Sequence, residues 1–372
     1  MPKFLLLIFI ALVLTGCGTC KRPIKPREAY FQKTTFATLK GWQNENHYEA
    51  VQVFLRSCNT MMKQRDTSPV SKRTSIGGRI GQWRKACNAA SGIWGEKQAK
   101  QFWETHFIPY KILKDKSGNP KGLFTGYYEI ELEGSLKKHG PYQHPVHAKP
   151  AKLHCVKGTE KISRSAIING ALNGKQLELV WVNSLARLYF MHIQGSGVIK
   201  LSKGGEMKLG YDDSNGFSYN SIYPRLQKST GNQLIFSPGE TMYWLDSNPQ
   251  TAKQILATDK SYVFFKRNYN ESPIGAQGVP LTPERSIAID SDLFPYGLPF
   301  WVEIPSLKNQ SLYHRIMVAQ DRGGAIKGAV RADIFWGRGY TAEKTAFSTK
   351  HPGGYYALFP KGVVVPAKYV SH

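Results

Sequence analysis

The sequence predicts an α+β chain, mainly β, with its helices gathered toward the N-terminal end. Three observations carry that prediction. Between residues 48 and 107, apolar side chains recur every three or four positions, the period of a helix with one buried face. From Lys121 onward, short β-rich runs punctuated by Gly, Pro and Asn replace that period. After Asn268 the runs crowd together, and six short strands joined by glycine turns suggest a small closed barrel.

Composition narrows the classes of function. A chain of 372 residues has room for two or three domains. With 41% hydrophobic and 20% charged residues it is globular rather than disordered. Lys and Arg number 50 against 26 Asp and Glu, a formal charge of +24. Such an excess favours a polyanionic partner: nucleic acid, anionic lipid or an acidic wall polymer. The N-terminus chooses among them. Lys3 precedes an apolar run, Phe4–Leu14, of eleven residues, too short to span a bilayer. The run ends in Leu14-Thr15-Gly16-Cys17, the pattern of a bacterial lipoprotein signal in which Cys17 accepts the lipid. Gly18 rather than Asp follows, so outer-membrane anchoring is expected, stable because several acyl chains act together. Export excludes nucleic acid as the partner.

Four cysteines remain: Cys20, Cys58, Cys87 and Cys155. An exported chain can form disulfides, and four cysteines allow three full pairings. Cys58 and Cys87 both end helix-like segments and are the expected pair. No CxxC recurs and no histidines cluster beside cysteines, so neither a metal nor another cofactor is expected.

In chain order, residues 21–40 are basic and proline-containing and read as a tether. Tyr48, Val51, Leu55 and Cys58 mark a first helix. Residues 60–80 are a polar loop. Trp83, Cys87 and Ala90 mark a second helix, and Ala99, Phe102, Trp103 and Phe107 a third. Gly122–Glu133 alternates as a strand does and breaks at Gly134. Residues 136–150 are loop, and 162–173 carry a short helix begun by Ser163 or Ser165. Leu177–Val182 and Leu188–Ile193 read as strands, the second entering Gln194-Gly195-Ser196-Gly197. Met207–Tyr211 is strand-like, and Asn215-Gly216 is a turn signal. Residues 221–229 and 249–258 read as helices and Tyr262–Phe265 as a strand. The six closing runs are Ser286–Asp290, Pro299–Ile304, Arg315–Ala319, Ala325–Ile326, Ala332–Phe335 and Ala357–Val365.

Acidic residues are scarce, which draws attention to Asp290, Asp321 and Asp333. The last two lie twelve apart in a glycine-framed block that also holds Lys327. Thr125, Tyr127 and Tyr128 either line a groove or pack a strand. Gln194, Gly195 and Ser196 either contact sugar or form a turn. With Tyr211, Asn215 and Lys327 they make the expected substrate-binding set. Aromatic faces, amides and hydroxyls are the residue palette of a glycan cleft. Glycoside cleavage ordinarily needs a general acid and a second carboxylate. Asp321 and Asp333 either share that work, or one acts while the other supports it.

Four stretches together resemble one family: FTGYYE (124–129), HIQGSG (192–197), GYDDSNGFSYNSI (210–222) and VAQDRGGAIKGAVRADIFWGRG (318–339). In this order they resemble the membrane-bound lytic murein transglycosylase A family, over roughly Leu123 to Val365. The C-terminal part is similar to a three-aspartate domain with Asp290, Asp321 and Asp333 as namesakes. Arg322 departs from the small residue or Thr more usual there. The resemblance implies two domains around a deep groove. The larger would hold a six-stranded double-psi β-barrel, and the smaller would be a β-rich insertion. The implied boundaries are 1–16 signal peptide, 17–40 tether, 41–129 helical part of the large domain, 130–270 inserted domain and 271–372 barrel.

The resemblance also implies cleavage, without water, of the β-1,4 bond between N-acetylmuramic acid and N-acetylglucosamine, leaving a 1,6-anhydromuramoyl end. Asp333 matches the catalytic position, with Asp321 beside it. One carboxyl suffices, because the attacking 6-hydroxyl is tethered on the same sugar. That acid must start protonated, so burial or the charge of Asp321 should raise its pKa. Lys327 would oppose the rise if it pointed inward. Asp290 is expected to be structural. Implied partners are peptidoglycan glycan strands, the outer membrane through the lipid, and other cell-wall enzymes. A water-using hydrolase and a non-catalytic wall-binding lipoprotein are the alternatives.

Overall fold

A computed structural model of the chain describes residues 26–151, 161–231, 237–305, 307 and 312–371. Cys17, Cys20 and Cys155, and with them the lipidation site, lie outside the described residues. The described chain is a mixed α+β fold, mostly strand.

It opens with β1 (Glu28–Lys33) and the helices α1 (His47–Met61), α2 (Ile80–Ala90) and α3 (Glu96–His106). β1 corrects the tether expected over residues 17–40. It pairs with β2 (Phe107–Leu113) on one side and with the last strand of the chain on the other. Ala29 and Phe31 are buried by that pairing. Its partners are distant in sequence, so nothing local marked it as a strand. The helices follow their apolar period. Asn46 caps α1 by accepting from the Glu49 backbone at 3.1 Å. Phe54, Trp83, Phe102, Trp103 and Phe107 bury a shared aromatic cluster. A disulfide joins Cys58 to Cys87 and thereby α1 to α2.

The middle of the chain gives β3 (Gly122–Ser135), β4 (His144–His147), α4 (Arg164–Ile168), β5 (Glu178–Val182), α5 (Leu185–Gln194), β6 (Ser196–Leu201) and β7 (Glu206–Ser214). α6 (Tyr223–Ser229), α7 (Pro238–Ser247), α8 (Pro249–Leu256) and β8 (Val263–Arg267) complete it. α5 corrects the strand expected at Leu188–Ile193. Ser184 caps it from the Arg187 backbone, and Gly195 ends it in the left-handed region at φ 83°. Ala186, Leu188, Tyr189, Phe190, Met191 and His192 are all buried. A helix buried almost all round has no polar stripe, and a short apolar run then looks like a strand. α7 was not foreseen, although Ser237, Pro238 and Glu240 form a capping box with proline in the first turn.

The C-terminal part holds β9 (Ser286–Ile289), β10 (Pro299–Pro305), β11 (Leu312–Asp321), β12 (Arg331–Arg338), α9 (Tyr340–Ser348), β13 (Lys350–Pro360) and β14 (Lys368–Val370). Six strands pair in a closed circuit. β3 lies parallel to β12, β12 antiparallel to β9, and β9 parallel to β11. β11 is antiparallel to β10, β10 to β13, and β13 to β3. The sixth strand is therefore the first half of β3, not Ala325–Ile326. Those two residues lie in a turn closed by the Ile326 amide on the Gly323 carbonyl. Ile326 fills a small apolar cluster with Tyr127, Ala288 and Phe335.

β3 is the member common to both halves. Up to Glu129 it pairs with β12; from Ile130 it pairs with β6 and then β5. Gly126 allows the passage, because a Cβ there would collide with the Trp336 ring and the α9 backbone. Arg285 fastens the helices to the circuit: fully buried, it bonds Glu45, Glu49 and the Ile316 carbonyl.

Candidate active site

The site is built where β9 lies between β11 and β12. Ala288 on β9 is the register partner of Asp321 on one side and of Asp333 on the other. Two strand spacings separate the aspartate backbones by about 10 Å. The methyl of Ala288 leaves the space between them open. On the far side of β12, Thr125 of β3 is the register partner of Asp333.

Alternation along β3 puts Thr125, Tyr127 and Glu129 on one face. Thr125 Oγ1 donates to Asp333 Oδ1 at 2.6 Å, and Tyr127 Oη donates to Asp321 Oδ2 at 2.9 Å. Both hydroxyls therefore give their protons to the aspartates. Asp321 Oδ1 also accepts from the Ala276 and Arg322 backbones at 3.0 and 2.8 Å. Its strand end is held by Gln320, which donates to the Val53 carbonyl and Ser57 and accepts from Ser286. Three donors thus hold the Asp321 carboxyl. Asp333 Oδ2 accepts no hydrogen bond from the described residues, so the two carboxyls differ in availability.

Their electrostatics differ too. Burial pushes the Asp333 carboxyl up to about 6. The Thr125 bond and the Arg331 charge oppose the rise, and the nearby charge of Asp321 adds to it. The carboxyl is crowded by protein atoms yet keeps an open side to solvent. Burial also raises Asp321, against the pull of the Ala276 and Arg322 amides and the Tyr127 phenol. The Tyr127 phenol itself is pushed well above its ordinary value, so it remains a donor.

The remaining expected residues separate. Asp290 is fully buried, pairs with Arg27 at 2.6 Å and accepts from the Gly328 backbone at 2.8 Å. It ties the chain's N-terminal strand to the loop between the other two aspartates. Lys327 turns to Asp292 and Asp290 at 3.4 and 3.7 Å. Tyr128 lies on the opposite face of β3, buried, with its hydroxyl on Glu343 of α9 at 3.1 Å. It leaves the groove set. Asn215 is 2% exposed. Its amide donates to the Ile162 and Lys260 carbonyls and its oxygen accepts from the Tyr262 backbone, so it pins three segments and has nothing left for a ligand. Gln194 accepts from the Tyr128 backbone at 3.1 Å, which brings the end of α5 to β3. Gly195 is the α5 cap, and Ser196 is buried at the start of β6. Tyr211 keeps an exposed ring on β7.

Two residues of the site escaped the sequence reading. Arg331 donates to Thr125 Oγ1 at 2.9 Å; its signal was a position two residues before Asp333 on one strand. Glu129 is 1% exposed, and its Oε1 has no hydrogen-bond partner among the described residues. Burial pushes its carboxyl up to about 7. Arg338, its register partner, bonds Glu131 at 2.8 Å and Glu206 instead. Among the described residues no group of His, Cys, Asp and Glu is arranged to hold a metal ion. A cavity of about 430 Å³ lies against α5 and α9. It is lined by Tyr128, Arg187, Asp246 and Glu343 but by none of the three aspartates. Arg187 pairs there with Glu343 and Lys200 with Glu131, and Glu133 and Asp246 add two further carboxylates.

Comparisons with known proteins agree with this layout. The MltA specific insert domain family matches residues 123–266, and the 3D domain family matches residues 285–358. The membrane-bound lytic murein transglycosylase A of Escherichia coli K12 is 32% identical over 252 residues, covering 66% of this chain and 67% of that protein. The crystal structure of a membrane-bound lytic murein transglycosylase from Agrobacterium tumefaciens aligns with a TM-score of 0.78 at 25% identity, covering 89% of this chain and 98% of that one. E. coli MltA with bound chitohexaose aligns with a TM-score of 0.62 at 25% identity, covering 87% and 89%.

Proposed function

The chain belongs to the membrane-bound lytic murein transglycosylase A family, an enzyme family of peptidoglycan, and from that premise we propose how its groove works. Asp333 is the single acid–base catalyst, and Asp321 sets its environment. One observation carries this assignment: of the two paired carboxyls, only Asp333 has an oxygen without a partner among the described residues, and it is the one pushed up to about 6.

The cycle balances with one carboxyl. Protonated Asp333 gives its proton to the oxygen leaving C1 of the muramic sugar, and the glycosidic bond breaks. The 6-hydroxyl of the same sugar then attacks C1. Its proton passes to the Asp333 carboxylate, which restores the acid and leaves a 1,6-anhydro end. No water is consumed. Tethering makes the second step effectively unimolecular. Burial is the main cause that favours protonated Asp333, and Asp321, held by three donors, adds a like charge.

We read the six-strand circuit as the double-psi barrel of the large domain, which its two parallel pairs support. The inserted domain then occupies 130–270, between the helical part at 41–129 and the barrel at 271–372, in keeping with the insert-domain match. Glycan strands lie between the two. The chitohexaose held by the E. coli relative supports an N-acetylated glycan as ligand. Membrane attachment is through lipidated Cys17 at the outer membrane.

Mass spectrometry of products from purified sacculi tests the chemistry. Anhydromuramoyl ends are expected, and turnover should fall with alkalinity above about pH 6. Asp333→Asn, with its fold checked by circular dichroism, should lose roughly 10²–10⁴ in turnover. Hydrated reducing ends, or a folded Asp333→Asn enzyme of near-normal turnover, would refute the assignment.

A further inference from the structure

The bonds around Asp333 carry a direction as well as a distance. A guanidinium only donates. Arg331 Nη2 lies 2.9 Å from Thr125 Oγ1, so the hydroxyl oxygen accepts there. The hydroxyl has one proton to give, and Asp333 Oδ1, at 2.6 Å, is the acceptor it points to. While that bond is made, Oδ1 is an acceptor, and a neutral Asp333 carries its proton on Oδ2.

The backbone builds this relay. Arg331 and Asp333 are two apart on β12 and share a face. Thr125 faces Asp333 across the β3–β12 seam. Arg331 also donates to the Leu123 and Ala332 carbonyls on the two strands, which locks its guanidinium at the seam. It makes no ion pair with Asp333. A direct pair would favour the ionised carboxyl more strongly; one hydroxyl's remove orients it at a smaller penalty.

We propose that Arg331 is a positioning residue for Asp333: acting through Thr125, it confines the acid proton to Oδ2, the oxygen left for the glycosidic bond. This rests on Asp333 being the acid–base group. Without the relay the carboxyl shares its proton between two oxygens and turns more freely. The other titratable groups facing Asp333 are Asp321 from β11 and Tyr127 from β3, and both remain in the variants below.

The test is the pH dependence of kcat and KM on soluble glycan strands of peptidoglycan. Thr125→Val keeps the side-chain shape but breaks the relay. It should lower kcat by at least about tenfold, the scale of a misplaced reacting group, with KM unchanged. The Thr125 bond and the Arg331 charge both favour ionised Asp333. Losing either raises its pKa, so the alkaline fall in turnover should move to higher pH. Thr125→Ser restores the hydroxyl and should restore both properties. Arg331→Met should reproduce Thr125→Val and add little when combined with it. Wild-type kcat and pH profile in Thr125→Val would overturn the proposal. So would a Thr125→Ser enzyme as impaired as the valine variant, or an Arg331→Met enzyme changed in KM alone, which would make Arg331 a substrate contact. Thr125→Val keeps the test decisive if Arg331→Met does not fold. A fully active Asp333→Asn enzyme would instead overturn the assignment of Asp333, an outcome that this separate variant identifies.

Discussion

Glu129→Gln offers a measurement worked directly from the structure. Glu129 is 1% exposed and its Oε1 has no partner among the described residues. Arg338 is drawn away by Glu131 and Glu206, and Lys208 by the Asn270 and Glu271 carbonyls. Burial dominates, and the carboxyl rises from its ordinary 4.5 to about 7. A raised pKa means that the folded state keeps the proton longer than the unfolded chain. The stability tied to this proton is complete below about pH 4.5 and is lost as pH rises to about 7. Each pH unit between them is worth ~1.4 kcal/mol, so the wild type gives up ~3 kcal/mol over that window through Glu129 alone. Gln has nearly the same shape and no proton to lose. Urea unfolding of both proteins at pH 5 and pH 8 isolates this effect, because every other titrating group cancels in the comparison. Glu129→Gln should gain ~2.5 kcal/mol relative to wild type between the two conditions, because part of the loss is already complete at pH 5. Stability curves that stay parallel would show that folding leaves the Glu129 carboxyl at its ordinary strength, and the account of an unpartnered buried acid would be wrong.

Two further outcomes are expected. Replacing Cys58 and Cys87 together with Ser should cost about 2–4 kcal/mol of unfolding free energy; non-reducing peptide mapping should find the 58–87 bridge in the native protein, and free thiols at both positions would contradict it. Cys17→Ala should release the protein from the membrane fraction, with the acyl mass absent from its N-terminal peptide; a variant that stays bound, alongside a wild type without lipid, would refute the anchor.

Local patterns were legible where one side of an element faces water. The period of three and four at Tyr48–Cys58 found α1, because its outer face is polar. The same method failed at Leu188–Ile193, because α5 is buried on nearly all sides and its sequence shows no stripe. It placed a strand at Ala325–Ile326 because two apolar residues between glycines match a strand in composition, though they are too few for a ladder. In the site, Asp321 and Asp333 stood out by scarcity and by their glycine frame. The assignment of Thr125, Tyr127, Asn215 and Lys327 to sugar binding came from residue type alone. Residue type says that a hydroxyl or an amide can bond; it does not say to what.

The sequence by itself determined the mixed helix–strand class, the family resemblance and the aspartates to watch. These follow from composition, period and short motifs, which are local in the chain. Tertiary structure decided how those aspartates differ. Thr125 and Asp333 are 208 residues apart and meet only because β3 runs parallel to β12. Tyr127 reaches Asp321 across 194 residues, by the alternation of the same strand. Tyr127 and two backbone amides occupy both oxygens of the Asp321 carboxyl, while one oxygen of Asp333 is left without a partner among the described residues. A pKa depends on what surrounds a group in space, and long-range strand register sets those surroundings.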